Sequence, residues 1–147
     1  MKISIRSPQT EDEWSQYYDL RWRILRQPWQ QSKGSEKDDI EDSSEHLAAL
    51  LHNRIIAVGR IHFSSQTEAQ IRYMAVDKEH QSKGTGKLIL NALEDIARDR
   101  EISQLFLHAR ENAVAFYKKN QYLTIEPSHI LYGKIKHFRM EKTLPSK

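Results

Sequence analysis

The sequence has no cysteine, and only five glycines and four prolines among its 147 residues. Without a thiol, the chain has no disulfide, no thiolate metal site and no cysteine nucleophile. No apolar run approaches the roughly 20 residues that a membrane helix needs. Residues 1–6 alternate apolar and polar side chains, unlike a secretory signal peptide. We therefore expect a cytoplasmic protein without membrane contact.

The charge of the chain is nearly balanced. Lysine and arginine together number 23, against 20 aspartate and glutamate, which gives a net charge of +3. An excess this small does not indicate a nucleic-acid partner. The length is close to that of one domain of roughly 150 residues, and the 38% of hydrophobic residues can build a core. We predict a single domain over residues 1–147.

Hydrophobic periodicity predicts the secondary structure, because strands alternate apolar and polar residues whereas helices repeat them at three- and four-residue steps. Thr10 and Glu13 have the spacing of a capping box at the start of the first helix, and Pro28 marks its end. Asn112 is expected to cap a short third helix. The predicted class is mixed α/β (α+β), in the order β-α-β-β-β-α-β-α-β-β. The strands are expected at 3–6, 46–51, 55–63, 69–76, 104–109, 122–125 and 137–144. The second helix is expected at 85–100, and a long loop should separate the last two strands.

Two of the five glycines, Gly84 and Gly86, lie one residue apart between a predicted strand and a predicted helix. Glycines let the backbone approach a ligand closely, and the N–H groups that begin a helix attract anions. Lys83 and Lys87 add positive charge to the same segment. The loop is therefore predicted to bind phosphate, most simply a diphosphate.

Spacing excludes two familiar phosphate loops. A Walker A loop needs a glycine five residues before Gly86, where Gln81 stands. A dinucleotide fingerprint needs a third glycine, where Ile89 stands. The segment instead reads Gln-x-x-Gly-x-Gly, after a strand that ends in Met74-Ala75-Val76.

This motif resembles the acyl-CoA loop of the GNAT superfamily of N-acetyltransferases, which has the form [RQ]-x-x-G-x-[GA]. Residues 112–117 are similar to a second signature of that family, an Asn followed by Phe-Tyr on a short helix. Residues 133–140 resemble a subgroup in which a His near the last strand precedes a Met by three residues. The order of elements matches the family from residue 2 to 144. The resemblance implies a mixed, mostly antiparallel central sheet of six to seven strands flanked by about four helices.

The chain departs from the family pattern at two places. The family has Gly and Phe after the Phe-Tyr helix, where this chain has Gln121 and Tyr122. We expect Asn120 to adopt the left-handed conformation that ends the helix, one residue earlier. The Pro that usually precedes the late His is replaced by Lys136.

The resemblance implies an N-acetyltransferase that uses acetyl-CoA and no metal. A backbone N–H near Met74 or Ala75 would stabilise the thioester oxygen, Tyr117 would protonate the leaving thiolate, and His137 would take a proton from the amine. The implied cofactor-binding residues are Met74, Ala75, Val76, Gln81, Ser82, Lys83, Gly84, Thr85, Gly86, Lys87, Asn112 and Phe116.

Several alternatives remain open at the level of sequence. Tyr117 has the spacing of a core aromatic, and the base could instead be a water chain or one of Glu45, His46, His62 and Glu68. Arg21 falls in the apolar stripe of the first helix. Its guanidinium either reaches solvent at the edge of the stripe or points into a substrate cleft. Arg21 and His46 are our candidate substrate-binding residues. The acidic segment 36–42 is either a solvated loop or an attractant for a cationic substrate.

The expected acceptor is the primary amine of a small molecule or peptide, and the expected assembly is a monomer or homodimer. Because the chain has no cysteine to carry an acyl group, transfer should run directly from acetyl-CoA to the amine in a ternary complex. The alternative function is a non-catalytic acyl-CoA-binding or interaction module on the same fold.

Overall fold

The structure, a computed structural model, describes residues 2–145. It contains seven strands and three α-helices, with short 3₁₀ turns at Gln27–Trp29, Lys78–His80 and Glu111–Ala113. The strands are β1 (Ser4–Arg6), β2 (Glu45–Leu51), β3 (Arg54–Phe63), β4 (Glu68–Val76), β5 (Gln104–Arg110), β6 (Leu123–Leu131) and β7 (Ile135–Thr143). The helices are α1 (Glu11–Leu25), α2 (Thr85–Asp99) and α3 (Val114–Lys119).

The seven strands follow the order β1-β2-β3-β4-β5-β7-β6 in the sheet. The β1/β2, β2/β3, β5/β7 and β6/β7 pairs are antiparallel, and the β4/β5 pair is parallel. The predicted mixed, mostly antiparallel sheet and its order of elements are confirmed. Among residues 2–145 the α-helices number three, where about four were expected, because residues 30–44 form turns.

The chain divides into two compact units, which we call unit 1 (Met1–His62 and Tyr73–Ile96) and unit 2 (Phe63–Arg72 and Ala97–Lys147). The single domain expected from the length stays a prediction. In unit 1, α1 packs on the sheet through a core cluster that comprises Tyr17, Leu20, Ala48, Leu50, Ile55, Val58 and Ala75.

Local sequence explains the first elements of unit 1. The Thr10 hydroxyl accepts a hydrogen bond from the N–H of Glu13, which confirms the predicted cap of α1. The Glu13 carboxylate accepts from the N–H of Gln9 and pairs with the Arg6 guanidinium. His52 and Asn53 both have positive φ, so they form the tight turn that joins β2 to β3.

Gly59 allows α2 to approach β3 closely. A Cβ atom at Gly59 would lie 2.6 Å from Ile89 Cγ2 and 2.8 Å from Met74 Sδ. These distances are shorter than real Cβ contacts, so any larger residue would force the Ile89 and Met74 side chains, or the elements that carry them, to shift. The start of α2, with the glycine loop before it, is therefore held against the sheet by this small residue.

In unit 2, the β6/β7 hairpin corrects one expectation. The long loop predicted after residue 125 is the second half of β6 followed by a tight turn, in which Tyr132 and Gly133 have positive φ. Pro127 lies within β6 and cannot donate to a ladder, which an edge strand tolerates.

Both ends of α3 differ from the sequence prediction. Asn112 lies in a 3₁₀ turn and forms no side-chain cap, so its predicted capping role is wrong. The predicted left-handed residue Asn120 is also wrong, since its φ is −101° whereas that of Gln121 is 76°. The N–H of Tyr122 donates to the carbonyl of Tyr117, and this closure requires the left-handed residue at 121.

In the described residues, no helix has both the length and the apolar character to cross a membrane.

Candidate functional site

The loop between β4 and α2 is anchored where it leaves β4. The buried Asp77 accepts a hydrogen bond from Arg54, and its N–H donates to the carbonyl of Ile56. Gln81 turns back, and its side-chain amide donates to the carbonyl of Val76 at 2.9 Å. These contacts fix where the loop leaves the strand, and they give Gln81 a positioning role.

The glycine segment of this loop has the geometry of an anion site. Ser82 and Gly84 have φ of 63° and 85°, and a Cβ at Gly84 would meet nothing within 4 Å. The first backbone bond of α2 runs from Leu88 N–H to the Gly84 carbonyl, so the N–H groups of residues 85–87 have no partner within the helix. Lys83 and Lys87 are exposed beside them. These residues fit the diphosphate group predicted from the sequence.

Tyr73 produces an irregularity in β4 just before Met74-Ala75-Val76. Its φ of 57° is uncommon for a bulky residue, so the strand changes direction there. Three guanidinium carbons lie near the Tyr73 ring centroid, those of Arg21 at 4.2 Å, Arg60 at 4.9 Å and Arg26 at 5.7 Å. The left-handed residue is thus held in place by cation–π contacts.

The same arginines form a buried charge network under the loop that follows α1. Arg21 and Arg60 are 0% and 1% exposed. Glu41 accepts hydrogen bonds from Arg21 at 2.9 Å and from Arg60 at 3.0 Å, and Asp38 binds Arg60 through both carboxylate oxygens. Burial disfavours the charge of Arg60, but its hydrogen bonds to Asp38 and the charge of Glu41 raise its pKa above the ordinary value. Arg21 therefore anchors the loop, and its predicted contact with substrate stays a prediction.

His46 extends this network to α1. Its Nε2 lies 2.8 Å from the carbonyl oxygen of Glu41, which can only accept, so Nε2 carries a proton. Burial lowers the pKa of His46, so the ring is neutral near pH 7. Nδ1 then accepts a hydrogen bond from the Tyr17 hydroxyl at 2.8 Å. Because both ring nitrogens of His46 are used within the protein, neither is placed to take a proton from an amine.

A cavity of about 680 Å³ opens above this network, and we call it the acidic cavity. The Trp14 and Tyr18 rings are stacked at 5.8 Å on one side. The ammonium of Lys37 lies 4.3 Å from the Tyr18 ring centroid. The residues that line the cavity are Trp14, Tyr18, Lys37, Asp38, Asp39, Glu41, Asp42, Ser44 and His46.

In unit 2, Tyr117 is buried on α3 between two aromatic rings. Phe116 and Tyr122 contact it edge-on, with centroids at 5.1 and 5.7 Å. Its hydroxyl makes no hydrogen bond within the part of the chain that the structure describes. Burial raises the pKa of Tyr117, so the phenol stays protonated and available as a donor.

His137 lies on β7 in a column of three imidazoles. The His129 ring is stacked on it at 4.2 Å, and His108 contacts His129 edge-on at 5.5 Å. The Nδ1 of His137 donates to the carbonyl of Ile135, so the lone pair of the neutral ring is on Nε2. Burial lowers the pKa of His137 to about 4, although its hydrogen bond to Ile135 opposes the shift; the nearby Arg110 guanidinium lowers the pKa further.

Three other residues are alternative candidates for the base that takes a proton from the amine, namely Glu68, Glu45 and His62. Glu68 lies 3.8 Å from the Arg139 guanidinium and accepts a hydrogen bond from Ser64. Glu45 and His62 are half-buried. Across residues 2–145, no group of three or more His, Asp or Glu side chains has the arrangement of a metal site.

The predicted site residues fall into two local groups. Met74–Val76 and Gln81–Lys87 lie in unit 1, whereas Asn112, Phe116, Tyr117 and His137 lie in unit 2. Sequence reasoning missed Asp77, Arg60 and Tyr73. A charged residue in an otherwise buried strand was the available signal for Arg60, but nothing local marks Tyr73 as left-handed.

Comparisons with known proteins identify the family. The sequence model of the Acetyltransferase (GNAT) family matches residues 14–122. The Bacillus subtilis (strain 168) protein named Uncharacterized N-acetyltransferase YjcF is 33% identical over 107 residues, which cover 73% of this chain and 76% of that protein.

Solved structures share the fold at low identity. An aminoglycoside 6'-N-acetyltransferase complexed with coenzyme A has a TM-score of 0.82 at 16% identity, covering 100% of this chain and 99% of that one. The PaiA N-acetyltransferase of Thermoplasma acidophilum, also in complex with coenzyme A, has a TM-score of 0.77 at 16% identity, covering 98% and 100%. Since the family's sequence model spans most of the chain and a relative at 33% identity covers nearly three quarters of it, this chain belongs to the Acetyltransferase (GNAT) family and is an acetyl-CoA-dependent acyltransferase.

Proposed function

We propose that this chain transfers an acetyl group directly from acetyl-CoA to the primary amine of a small molecule or peptide. The glycine loop carries this proposal, because Ser82 and Gly84 are left-handed and precede a helix whose first N–H groups lack partners in that helix. When bound, acetyl-CoA supplies the activated thioester. The coenzyme A in the aminoglycoside and PaiA acetyltransferase structures supports the same ligand here.

The backbone from Ser82 to Lys87 would hold the diphosphate. Its N–H groups and the helix dipole favour negative charge, and the ammonium groups of Lys83 and Lys87 would partly neutralise the phosphates from the solvent side. Asn112 and Phe116 remain proposed contacts of the cofactor.

The end of β4 would hold the pantetheine arm. Among the described residues, β4 pairs with β5 through Glu68, Ala69 and Gln70. β4 continues to Val76, so its last residues extend beyond this pairing. Backbone groups of Met74–Val76 can then pair with an extended ligand as an added strand would. An N–H of Met74 or Ala75, aimed by the left-handed Tyr73, would donate to the thioester oxygen as it gains charge.

The reaction forms a C–N bond, breaks the C–S bond, releases one proton from the amine and returns one to the thiolate. Tyr117 is the proposed donor to the sulfur, since its hydroxyl has no partner in the described structure. Its raised pKa means that it donates a hydrogen bond as charge develops on sulfur and gives up its proton only late.

His137 is the proposed acceptor of the amine proton. The tautomer fixed by Ile135 leaves Nε2 with a lone pair, and a pKa of about 4 keeps the ring neutral near pH 7. So weak a base holds a proton only briefly, and the exposed His129 stacked on it offers a path to water. The alternative is a chain of water molecules that takes the proton without His137. In that case His137→Asn would leave kcat unchanged, whereas a catalytic His137 predicts a lower kcat.

The second candidate function is a module that binds acyl-CoA without turnover. The Tyr117 hydroxyl favours catalysis, because it makes no hydrogen bond among the described residues and is therefore available to donate to a bound ligand. For the acetyltransferase, we also propose a cytoplasmic location and a monomeric or homodimeric state, as expected from the sequence.

The test combines thiol release with calorimetry. Gly84→Glu places a carboxylate where the diphosphate would lie, so we expect acetyl-CoA binding and acetyl-CoA-dependent thiol release with an amine panel both to be lost. Gly133→Glu is the matched control, because Gly133 also has positive φ and an open Cβ position but lies in the β6/β7 turn. Intact binding in Gly84→Glu contradicts the loop assignment, and binding without thiol release for any amine supports the non-catalytic module.

A further inference from the structure

The acidic cavity differs from a solvated acidic loop in its shape and in its aromatic wall. Its volume of about 680 Å³ lies in the range of small-molecule sites. The stacked Trp14 and Tyr18 rings form one side, and the neutral His46 forms part of the floor. The buried Tyr17 contacts this wall edge-on, with ring centroids 5.3 Å from Trp14 and 5.2 Å from Tyr18, and its hydroxyl bonds to His46.

The charges of the cavity favour a cation. Asp38 and Glu41 are compensated by the buried Arg60 and Arg21. Asp39 and Asp42 are exposed, and neither forms an ion pair with any residue that the structure describes. The four carboxylates exceed the three cations around the cavity, Lys37, Arg21 and Arg60, by one. A bound monocation would balance that charge.

The cavity already contains an alkylammonium group from the protein itself. Lys37 places its Nζ 4.3 Å from the Tyr18 ring centroid, within cation–π distance, in a cavity that Asp39 and Asp42 also line. The Tyr18 face thus already contacts an ammonium group, and the ammonium of a ligand would compete with Lys37 for it. This contact is an observation separate from the acidic residues.

We propose that the acidic cavity binds a protonated amino group of the acceptor, so that the acceptor is a diamine or polyamine. This inference rests on the proposed acetyl transfer. Carboxylates and a π-face stabilise the ammonium form, and an ammonium has no lone pair with which to attack a thioester. The amine held in the cavity is therefore not the one acetylated, and the acceptor carries at least two.

The first test compares two acceptors of equal chain length. Thiol release from acetyl-CoA is measured with 1,4-diaminobutane and with n-butylamine. The second ammonium should raise kcat/KM for the diamine by about tenfold or more, mainly through KM. Equal kcat/KM values for the two amines would overturn the proposal while leaving the acetyltransferase activity established.

Two sets of variants locate the effect. Asp39→Asn combined with Asp42→Asn should raise the KM for 1,4-diaminobutane about tenfold and leave n-butylamine unchanged. Glu11→Gln combined with Glu101→Gln removes the same charge from exposed positions outside the cavity and should change neither. An equal effect from both pairs would mean that only the net charge of the protein attracts the diamine, which contradicts the proposal.

Lysine variants test the competition directly. Lys37→Gln vacates the Tyr18 face and should lower the KM for 1,4-diaminobutane. Lys33→Gln is its control, because Lys33 lies 5.2 Å from the Trp22 ring centroid in the same loop and does not line the cavity. A lowered KM in both variants, or in neither, would count against an ammonium subsite on Tyr18.

Calorimetry with 1,4-diaminobutane separates this proposal from the proposed function. Binding to the wild type that is lost in the double aspartate variant supports the cavity, even if no amine releases thiol from acetyl-CoA. Thiol release without diamine binding upholds the activity and overturns the cavity proposal.

Discussion

The Arg21–Glu41 pair allows the sharpest prediction about stability. Arg21 is fully buried, and Glu41 is the carboxylate that it contacts, at 2.9 Å. Its other acceptors are neutral, the Glu36 carbonyl and the Tyr17 hydroxyl. Glu41→Gln preserves the shape of the side chain and removes the charge, so that a buried guanidinium loses its counter-ion.

The expected loss of unfolding free energy in Glu41→Gln depends on the burial of the pair and on the contacts that Arg21 keeps. Removing one partner of a buried ion pair typically costs about 3–5 kcal/mol. Arg21 keeps two neutral acceptors, and its guanidinium lies 4.2–5.1 Å from the centroids of three tyrosine rings, which reduces the cost to about 2–4 kcal/mol. Arg21→Met with Glu41→Gln removes both charges, so the double variant should be more stable than additivity predicts by about 1.5–3 kcal/mol.

Urea unfolding followed by tryptophan fluorescence measures these differences, with Trp14 close to the network as a probe. The control pair is Arg23–Asp19, which has a similar distance of 2.8 Å but is 36% and 44% exposed. Asp19→Asn should cost no more than about 0.5 kcal/mol. The reasoning is refuted if Glu41→Gln costs as little as Asp19→Asn, or if the double variant is simply additive.

Three further outcomes are expected. Gly59→Ala should lower the free energy of unfolding by about 1–3 kcal/mol in urea, because its Cβ would lie 2.6 Å from Ile89; an unchanged midpoint would contradict that close contact. Stability should fall as pH drops from about 6.5 towards 4, since the lowered pKa of His137 makes the unfolded chain bind more protons there; His137→Asn should flatten this dependence in urea titrations, and an unchanged slope would count against it. Tyr117→Phe should cut kcat by about tenfold or more with little change in acetyl-CoA affinity, whereas unchanged kcat at every pH would exclude the donor role.

Features encoded by neighbouring residues were predictable from sequence. The cap at Thr10 and the start of α2 at Thr85 depend only on residues next to them in the chain. The family signature likewise depends on short spacings, and the family was confirmed. These predictions succeeded because the relevant hydrogen bonds join residues only a few positions apart.

Features that depend on distant contacts were not predictable. Arg21 was visible as a charge in an apolar stripe, but its partners Glu41 and Tyr73 lie 20 and 52 residues along the chain. The end of α3 also escaped prediction, because the N–H of Tyr122 reaches back to Tyr117 and thereby selects Gln121 as the left-handed residue. Asparagine's general preference for that conformation is weaker than this hydrogen bond.

The central claim is direct acetyl transfer from acetyl-CoA to an amine, and the most direct measurement is product identification joined to initial-velocity kinetics with 1,4-diaminobutane. We predict the N-acetylated amine, one free CoA thiol for each product molecule, and reciprocal plots that intersect, as a ternary complex requires in a chain without cysteine. Parallel reciprocal plots, or no acetylated amine above the uncatalysed background for any member of an amine panel, would contradict the account.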